Sequence, residues 1–186
     1  GFRIMADEAH ATGIFGRSGS GMAEQSGLTD RIDFIMGTFS KAMGSFGAYL
    51  AASGPVRDYL VNTCRSFIYS TALPPSVIAA SKASLELVEQ EPFRREVLMK
   101  KTCRFRSSLE KAGLETRGSS QIIPVIIPDP ACLERVSEFL RSRGFYVLPV
   151  RPPTVPEGEA RLRFSLCVDH GDSDLDMLAG LVREVL

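Results

Sequence analysis

Residues 34–52 read FIMGTFSKAMGSFGAYLAA, which places a glycine-rich loop between two short apolar runs. A third run of the same kind covers residues 2–6. All three runs are apolar on both faces, a pattern that favours strands buried in a parallel sheet. The gaps between the runs are too long for tight hairpins. We therefore expect parallel pairing in this part of the chain.

Proline and glycine divide the rest of the chain into helices and strands. Helices are predicted over residues 55–64, 75–90 and 93–112, and Gly113 is expected to end the third. Later strands are predicted over residues 122–127, 145–148 and 161–166. Two later helices are predicted around the apolar positions Leu133, Val136, Phe139 and Leu140 and Leu175, Leu178, Leu181, Val182 and Val185. The predicted fold class is α/β. A boundary between a parallel-sheet half and a smaller α+β half is expected between residues 95 and 112.

The composition excludes several classes of protein. The 186 residues are 44% hydrophobic and 24% charged, as in soluble globular proteins. Lys plus Arg and Asp plus Glu both total 22, so the positive charge typical of nucleic-acid and membrane-surface binders is missing. No apolar run approaches the roughly 18 residues that span a bilayer. We expect a cytoplasmic chain with small-molecule or protein partners, and its four cysteines as reduced core thiols.

The first apolar run ends in the tetrapeptide DEAH, residues 7–10. In an open α/β sheet, ligands bind at the carboxyl ends of the strands, so this position suits Asp7 and His10 for ligand binding. DEAH is also the signature of one helicase class, in which the acids hold magnesium. That function needs a phosphate loop of the form GxxxxGK[ST], and no such loop is present in these residues. The helicase interpretation is therefore disfavoured, and no metal is expected.

Lys41 is a single lysine among small and apolar residues in the glycine-rich loop. It could be a surface lysine whose stem lies along apolar neighbours. An amine in such a turn would alternatively be desolvated, which disfavours its charge and suits covalent catalysis. Thr38 and Ser40 could offer hydroxyls to phosphate oxygens. With Asp7 to keep a pyridine nitrogen protonated and His10 near a phenolic oxygen, these residues suit a pyridoxal phosphate site.

Four motifs resemble, in the same order, those of the α-oxoamine synthase family of fold-type I pyridoxal-phosphate enzymes. They read DEAHATG at residues 7–13, GTFSKAMGSFGA at 37–48, FIYSTALPP at 67–75 and RPPTVPEGEARLR at 151–163. The resemblance implies the second half of the large cofactor-binding domain over residues 1–100 and a small α+β domain over residues 101–186. Family members are longer at the N-terminus, where the ring that stacks on the cofactor lies. The chain alone is therefore expected to be an inactive C-terminal portion.

The resemblance also implies roles for the residues of the first two motifs. Asp7 would pair with the pyridine nitrogen of the cofactor, and His10 with its phenolic oxygen. Thr38 would bind the phosphate. Lys41 would carry the covalent link to the cofactor and transfer protons.

Three further roles follow from the later motifs. Ser70 and Thr71 match a segment that reaches the phosphate of the partner subunit's cofactor, which implies a homodimer with a shared active site. The alternative for both is capping before Pro74. Arg163 matches the residue that binds the substrate carboxylate, whereas Arg161 on the same strand face is interpreted as structural. His170 is interpreted as a surface or capping histidine.

The resemblance implies an acyltransferase that joins an amino acid to an acyl-coenzyme A with loss of carbon dioxide. Within the family, the proline-rich fourth motif favours the biotin-forming branch, which uses L-alanine and pimeloyl-coenzyme A. Branches that use glycine or another amino acid, including those that make 5-aminolevulinate and sphingoid bases, remain alternatives. A non-catalytic binding module is the alternative from another class.

Overall fold

The computed structural model describes residues 1–186, and it contains helices and strands along its whole length, as the α/β class predicts. The chain forms two structural units, Gly1–Arg95 and Glu96–Leu186, called here the N-terminal unit and the C-terminal unit. Each unit contains one three-stranded sheet. No helix combines the length and the apolar character needed to cross a membrane.

The sheet of the N-terminal unit has the strand order β1 (Met5–Asp7), β2 (Phe34–Thr38), β3 (Ala48–Ala52). β1 and β2 are parallel, as predicted, but β2 and β3 are antiparallel. The expectation of parallel pairing for β3 was therefore wrong. The loop of residues 39–47 closes as a hairpin because it makes its own hydrogen bonds, including one of 2.9 Å from Phe39 N to Gly47 O.

The N-terminal unit also contains a short 3-10 helix, Thr29–Arg31, and four α-helices. They are α1 (Met22–Gln25), α2 (Gly54–Thr63), α3 (Arg65–Ile68) and α4 (Pro75–Gln90). The predictions for α2 and α4 are confirmed to within one residue at each end. Proline lies in the first turn of both, where its fixed φ suits the helix and its missing N–H costs nothing.

The C-terminal unit packs helices on an antiparallel sheet. Its elements are α5 (Phe93–Lys111, which begins just before the unit boundary), β4 (Ile122–Ile126), α6 (Pro130–Ser142), β5 (Leu148–Val150), β6 (Arg161–Ser165) and α7 (Asp172–Val185). The strand order is β4-β6-β5. Gly113 ends α5 with a φ of +84°, as predicted. The predicted strand over residues 145–148 is displaced to β5.

An apolar core fills the C-terminal unit. Leu133, Val136 and Leu140 on α6 are at most 1% exposed, which confirms the predicted face of that helix, although Phe139 is only half-buried. Phe105 of α5 meets Phe164 of β6 edge to face, with ring centroids 5.4 Å apart. On α7 the predicted residues Leu175, Leu178, Leu181 and Val182 are also buried, whereas Val185 is half-buried.

The N-terminal unit buries much less apolar surface. Its buried apolar residues are Ala9, Ala11, Ala23 and Met43. Of the strands expected to be buried, β1 and β3 are largely exposed and β2 is half-buried, and Met5 of β1 is 61% exposed. The cysteines were also expected in the core, but none is buried, and all four are free thiols.

Candidate active site

Asp7 and Thr38 lie at the same edge of the N-terminal sheet. They are the last residues of β1 and β2, which run parallel with Asp7 opposite Met36. A hydrogen bond of 2.7 Å from Glu8 N to Met36 O continues the pairing one residue further. Because neighbouring strands are about 4.8 Å apart, the two side chains belong to one edge. This is the carboxyl edge, where α/β sheets bind ligands.

Asp7 and His10 are exposed at the start of the turn that follows β1. Asp7 Oδ1 accepts a hydrogen bond of 2.9 Å from Ala9 N, which fixes the carboxylate against the turn. Its Oδ2 atom is left free to accept a further hydrogen. The carboxylate is therefore oriented by the backbone and still able to pair with a basic ring nitrogen.

Glu8, the second acid of the DEAH motif, is a positioning residue that the sequence analysis did not find. It is 3% exposed, and its carboxylate accepts the backbone N–H groups of Met22 at 2.9 Å and Ala23 at 2.7 Å. A Cβ atom on Gly21 would lie 2.6 Å from Glu8 Oε2, and the φ of +129° is one that L side chains rarely adopt, so this position favours glycine. Glu8 thus ties the start of α1 to the turn that carries Asp7 and His10. The structure contains no cluster of acids, histidines or cysteines able to hold a metal ion.

Tyr49 on β3 provides a second tie that was not predicted. Its ring lies over Gly37 on the paired strand, and a Cβ atom on Gly37 would overlap that ring. The Tyr49 hydroxyl and Thr12 Oγ1 are 2.9 Å apart, so β3 is bonded to the turn after β1. The hydroxyl contact could not be recognised from local spacing, since 37 residues separate Thr12 and Tyr49 along the chain.

Lys41 lies in the hairpin loop of residues 39–47. The loop is held by hydrogen bonds from Ser45 N to Phe39 O at 2.8 Å and from Gly44 N to Lys41 O at 3.0 Å. The Lys41 side chain is exposed and makes no hydrogen bond or ion pair, which agrees with the alternative of a surface lysine and not with that of a desolvated amine. Its amine is free to react, while its backbone is fixed.

Thr38 and Ser40 form a small hydroxyl cluster where this loop begins. Their oxygens are 2.8 Å apart, and Thr38 Oγ1 donates to Gly47 O at 2.9 Å. Ser40 N donates to Thr38 Oγ1 at 3.2 Å. An anion bound here would accept a hydrogen bond from one of these hydroxyls, which in this structure bond to each other and to Gly47 O. The carboxyl edge therefore combines an acid, an amine and two hydroxyls, which could hold a ligand with a phosphate, an aldehyde and a basic ring nitrogen.

Ser70 and Thr71 are exposed between α3 and α4. Ser70 Oγ donates to Ser66 O at 2.5 Å and so closes the end of α3. Pro74 occupies the N-cap position of α4, and no side chain caps that helix. Neither residue therefore caps α4, although Ser70 has a local bond at the end of α3, and the role of both residues toward a partner subunit stays a prediction.

In the C-terminal unit, Arg161 and Arg163 alternate on β6 with the buried Leu162 and Phe164. Arg161 is engaged locally: it donates to Glu159 O at 2.7 Å and to Glu159 Oε2 at 2.8 Å. Hydrogen bonds from Arg161 and then from Arg117 hold the pKa of Glu159 below its usual range. This engagement is the structural role expected for Arg161.

Arg163 has no such engagement. Its Nε atom is buried and has no hydrogen-bond partner. The residue lines a cavity of about 480 Å³ together with Tyr146, His170 and Asp174. His170 itself has a local role, as predicted, because its Nδ1 accepts a hydrogen bond of 3.2 Å from Cys167 N and closes the turn after β6.

Matches to known proteins extend over almost the whole chain. The family model for aminotransferase class I and II matches residues 1–181. The 8-amino-7-oxononanoate synthase of Geotalea daltonii is 45% identical over 188 residues, a match that covers 100% of this chain and 48% of that protein. The chain thus spans about half the length of the curated relatives it matches.

Two solved structures illustrate the structural likeness. A serine palmitoyltransferase from S. paucimobilis, solved with a bound PLP-myriocin aldimine, superposes with a TM-score of 0.93 at 30% identity over 98% of this chain and 47% of its own. The 8-amino-7-oxononanoate synthase of Francisella tularensis superposes with a TM-score of 0.85 at 25% identity, over 97% of this chain and 53% of its own.

Proposed function

The chain belongs to the aminotransferase class I and II family, and on that premise we propose that it carries the catalytic lysine of a pyridoxal-phosphate-dependent α-oxoamine synthase. The proposed reaction condenses an amino acid with an acyl-coenzyme A and releases carbon dioxide. The observation that carries the proposal is the carboxyl edge of the N-terminal sheet, where Asp7, Thr38 and the Lys41 loop come together.

The residues at this edge fit pyridoxal phosphate by the chemistry of their donor set. Asp7 has a free carboxylate oxygen for a pyridine nitrogen, and Lys41 has a free amine for an aldehyde. Thr38 and Ser40 supply hydroxyls for a phosphate. Gly44 leaves open space beside the lysine, because a Cβ atom there would meet nothing within 4 Å.

When bound, pyridoxal phosphate supplies an electron sink for negative charge at the α-carbon of the amino acid. Asp7 would hold the proton on the ring nitrogen that this sink requires, and the hydrogen bond from Ala9 N keeps its carboxylate in place. His10 would hydrogen-bond the phenolic oxygen. Lys41 Nζ would remove a proton from the α-carbon and later return it. The turn fixed by Glu8 keeps Asp7 and His10 in position for these tasks.

We propose Arg163 as the residue that binds the carboxylate of the amino-acid substrate. A buried guanidinium Nε with no partner favours a role toward a ligand, whereas the Arg161 guanidinium is already engaged by Glu159. A guanidinium presents two parallel N–H groups to a carboxylate, which a lysine cannot reproduce.

For Ser70 and Thr71 we propose contact with the phosphate of the partner subunit's cofactor in a homodimer. Two observations support this. Both residues are exposed, and the Ser70 hydroxyl bonds only within α3.

The substrates proposed are L-alanine and pimeloyl-coenzyme A, which would give 8-amino-7-oxononanoate. The 45% identity to the enzyme of that name in Geotalea daltonii supports this choice. A second candidate is condensation of L-serine, which the TM-score of 0.93 to a serine palmitoyltransferase favours. The amino acid that shifts the visible absorbance of the cofactor-loaded protein separates the two candidates: L-alanine for the first, L-serine for the second.

Borohydride trapping tests the proposed function directly. After incubation with pyridoxal phosphate and reduction, mass spectrometry should locate the adduct on Lys41. Lys41→Arg should abolish it, because no neighbouring amine replaces this one. The matched control is Lys82→Arg, which changes an exposed lysine on α4 and should leave the adduct unchanged. An adduct on Lys82, Lys100, Lys101 or Lys111 instead would overturn the assignment.

A second experiment separates the two arginines of β6. Arg163→Ala should raise the dissociation constant of the amino acid about 10- to 150-fold, as expected for lost hydrogen bonds to a charged group. Arg161→Ala should change it much less. Titration of the amino acid against cofactor absorbance measures both, and a larger shift for Arg161→Ala would contradict the role given to Arg163.

A further inference from the structure

The lysine loop is attached to α4 at two points. Ser84 Oγ donates to Met43 O at 2.7 Å. Ser45 Oγ donates to Val77 O at 3.3 Å and lies 2.9 Å from Ser81 Oγ. The Ser45 and Ser81 hydroxyls are thus hydrogen-bonded to each other, with either one able to donate. Both attachments fall just after Lys41, at positions two and four residues along the loop.

Serine is unfavourable inside a helix because its hydroxyl competes for backbone hydrogen bonds, so a serine there often bonds to a group outside the helix. Ser81 and Ser84 are three residues apart and therefore share one face of α4. Ser81 is 7% exposed, and a buried hydroxyl without a partner would destabilise the fold. Both hydroxyls bond to the loop of residues 39–47, either at a backbone carbonyl or at a second hydroxyl. The polar face of α4 is thus matched to the lysine loop.

The Lys41 side chain makes no hydrogen bond of its own, so the position of its backbone depends on the bonds made by the rest of the loop. On one side of it, Thr38 and Ser40 tie the loop to Gly47. On the other side, Ser81 and Ser84 tie the loop to α4. These bonds therefore fix the backbone from which the Lys41 side chain extends, and a displacement of about 1 Å can reduce a reaction about 100-fold.

We propose that Ser81 and Ser84 are positioning residues for Lys41, holding its loop on α4 so that the amine is presented at the carboxyl edge of the sheet. This inference rests on the proposed function, which makes Lys41 the residue that reacts with the cofactor. It assigns to the Ser81 and Ser84 face of α4 an effect on the rate at which Lys41 reacts.

Hydrogen exchange on the 186-residue chain without cofactor tests the attachment itself. In Ser81→Ala and in Ser84→Ala, the amides of Gly44 and Ser45 should exchange about 2- to 10-fold faster, as expected for one lost hydrogen bond. Ser76→Ala is the matched control, because Ser76 is an exposed serine on the same helix without a hydrogen bond to the loop. Ser84→Thr keeps a hydroxyl and should restore the protection. Unchanged exchange in both alanine variants would overturn the inference.

Borohydride trapping on the same variants tests the consequence for Lys41. The rate of adduct formation at Lys41 should fall about 2- to 10-fold in each alanine variant, while labelling of Lys82 in the same molecules stays constant. A general loss of structure would alter both lysines, whereas a positioning role alters only Lys41. If the unaltered chain forms no adduct on Lys41, the proposed function fails. If the adduct forms there and both alanine variants label like the unaltered chain, the positioning role fails.

Discussion

The two units of the chain are stabilised by different kinds of interaction. Nineteen of the buried apolar residues lie in the C-terminal unit and four in the N-terminal unit, and three of those four are alanines. Large exposed apolar side chains are distributed the other way, with sixteen in the N-terminal unit and four in the C-terminal unit. Because apolar burial is the dominant favourable contribution to folding, the C-terminal unit has the stronger thermodynamic basis.

The N-terminal unit, which carries the candidate site, relies instead on polar ties between distant segments. Glu8 holds α1, Tyr49 holds Thr12, and Ser81 and Ser84 hold the lysine loop. Hydrogen bonds are directional, so they place reactive groups accurately, but each adds only about 1 kcal/mol of net stability. The comparison teaches that geometry and stability come from separate parts of this chain. The exposed apolar surface of the N-terminal unit is of the kind that packs against further protein.

Separation of the units should give the largest effect. The segment of residues 93–186, expressed alone, should unfold cooperatively in urea because it keeps almost all of the apolar core. The segment of residues 1–92 should show no cooperative transition. Circular dichroism against urea concentration measures both. A cooperative transition in the segment 1–92 would show that its polar ties are sufficient and would break the comparison.

Matched leucine substitutions should show the same contrast at single residues. Leu140→Ala on α6 removes a side chain that is 0% exposed and should cost about 2–5 kcal/mol of unfolding free energy. Leu87→Ala on α4 removes one that is 47% exposed and should stay within about 0.5 kcal/mol. Urea unfolding of both variants measures the difference, and equal costs would mean that α4 is buried in solution.

A close contact in the N-terminal sheet should give an intermediate effect. Gly37→Ala should cost about 1–3 kcal/mol, because the new methyl group overlaps the Tyr49 ring. With Tyr49→Ala already present, the same change should cost less than about 0.5 kcal/mol, since the ring is gone. A double-mutant cycle measures the coupling. An equal cost in both backgrounds would mean that the strain arises elsewhere.

The smallest expected effect is a pH dependence in the N-terminal unit. The Ser18 backbone N–H, with further hydrogen bonds from the Ser18 hydroxyl and Ser20 N, lowers the pKa of Glu24. The unfolded chain therefore takes up the proton first as pH falls. The stabilisation is full above the ordinary glutamate pKa of 4.5 and is lost as the pH falls through the lowered pKa of Glu24. Glu24→Gln should cost about 1 kcal/mol or less at pH 7 and less still at pH 3. Urea midpoints at both pH values measure this, and a larger cost at pH 3 would contradict the sign.

Several features of the fold could be predicted because local chemistry decides them. Pro75 opens α4 and Gly113 ends α5 where the sequence indicated, since proline fixes φ and glycine tolerates the positive φ that follows a helix. The apolar face of α6 could be predicted from its helical period. The displaced position of β5 could not, because strand boundaries depend on the neighbour they pair with.

The candidate site divides in the same way. The sequence by itself singled out Asp7, His10, Thr38 and Lys41, because an acid, an imidazole, a hydroxyl and an amine are recognisable as reactive or binding groups wherever the chain places them. Arg163 was identified only through the resemblance of the fourth motif to the α-oxoamine synthase family. The structure alone showed that Arg161 is held by Glu159 whereas the buried Nε of Arg163 has no partner. It also showed that Lys41 is exposed rather than desolvated.

What the sequence by itself determined is thus the longer helices and most of the strands, together with the chemistry of the reactive side chains, because both depend on residues within a few positions of one another. The short helices α1 and α3 were not predicted. Only the tertiary structure decided the antiparallel pairing of β3, the burial of Glu8 against α1 and the attachment of the lysine loop to Ser81 and Ser84. Each of these needs a partner from elsewhere in the chain. A hydrogen bond or a strand pairing between distant residues leaves no periodic mark on either segment, because its free energy depends on distance in space and not on spacing in sequence.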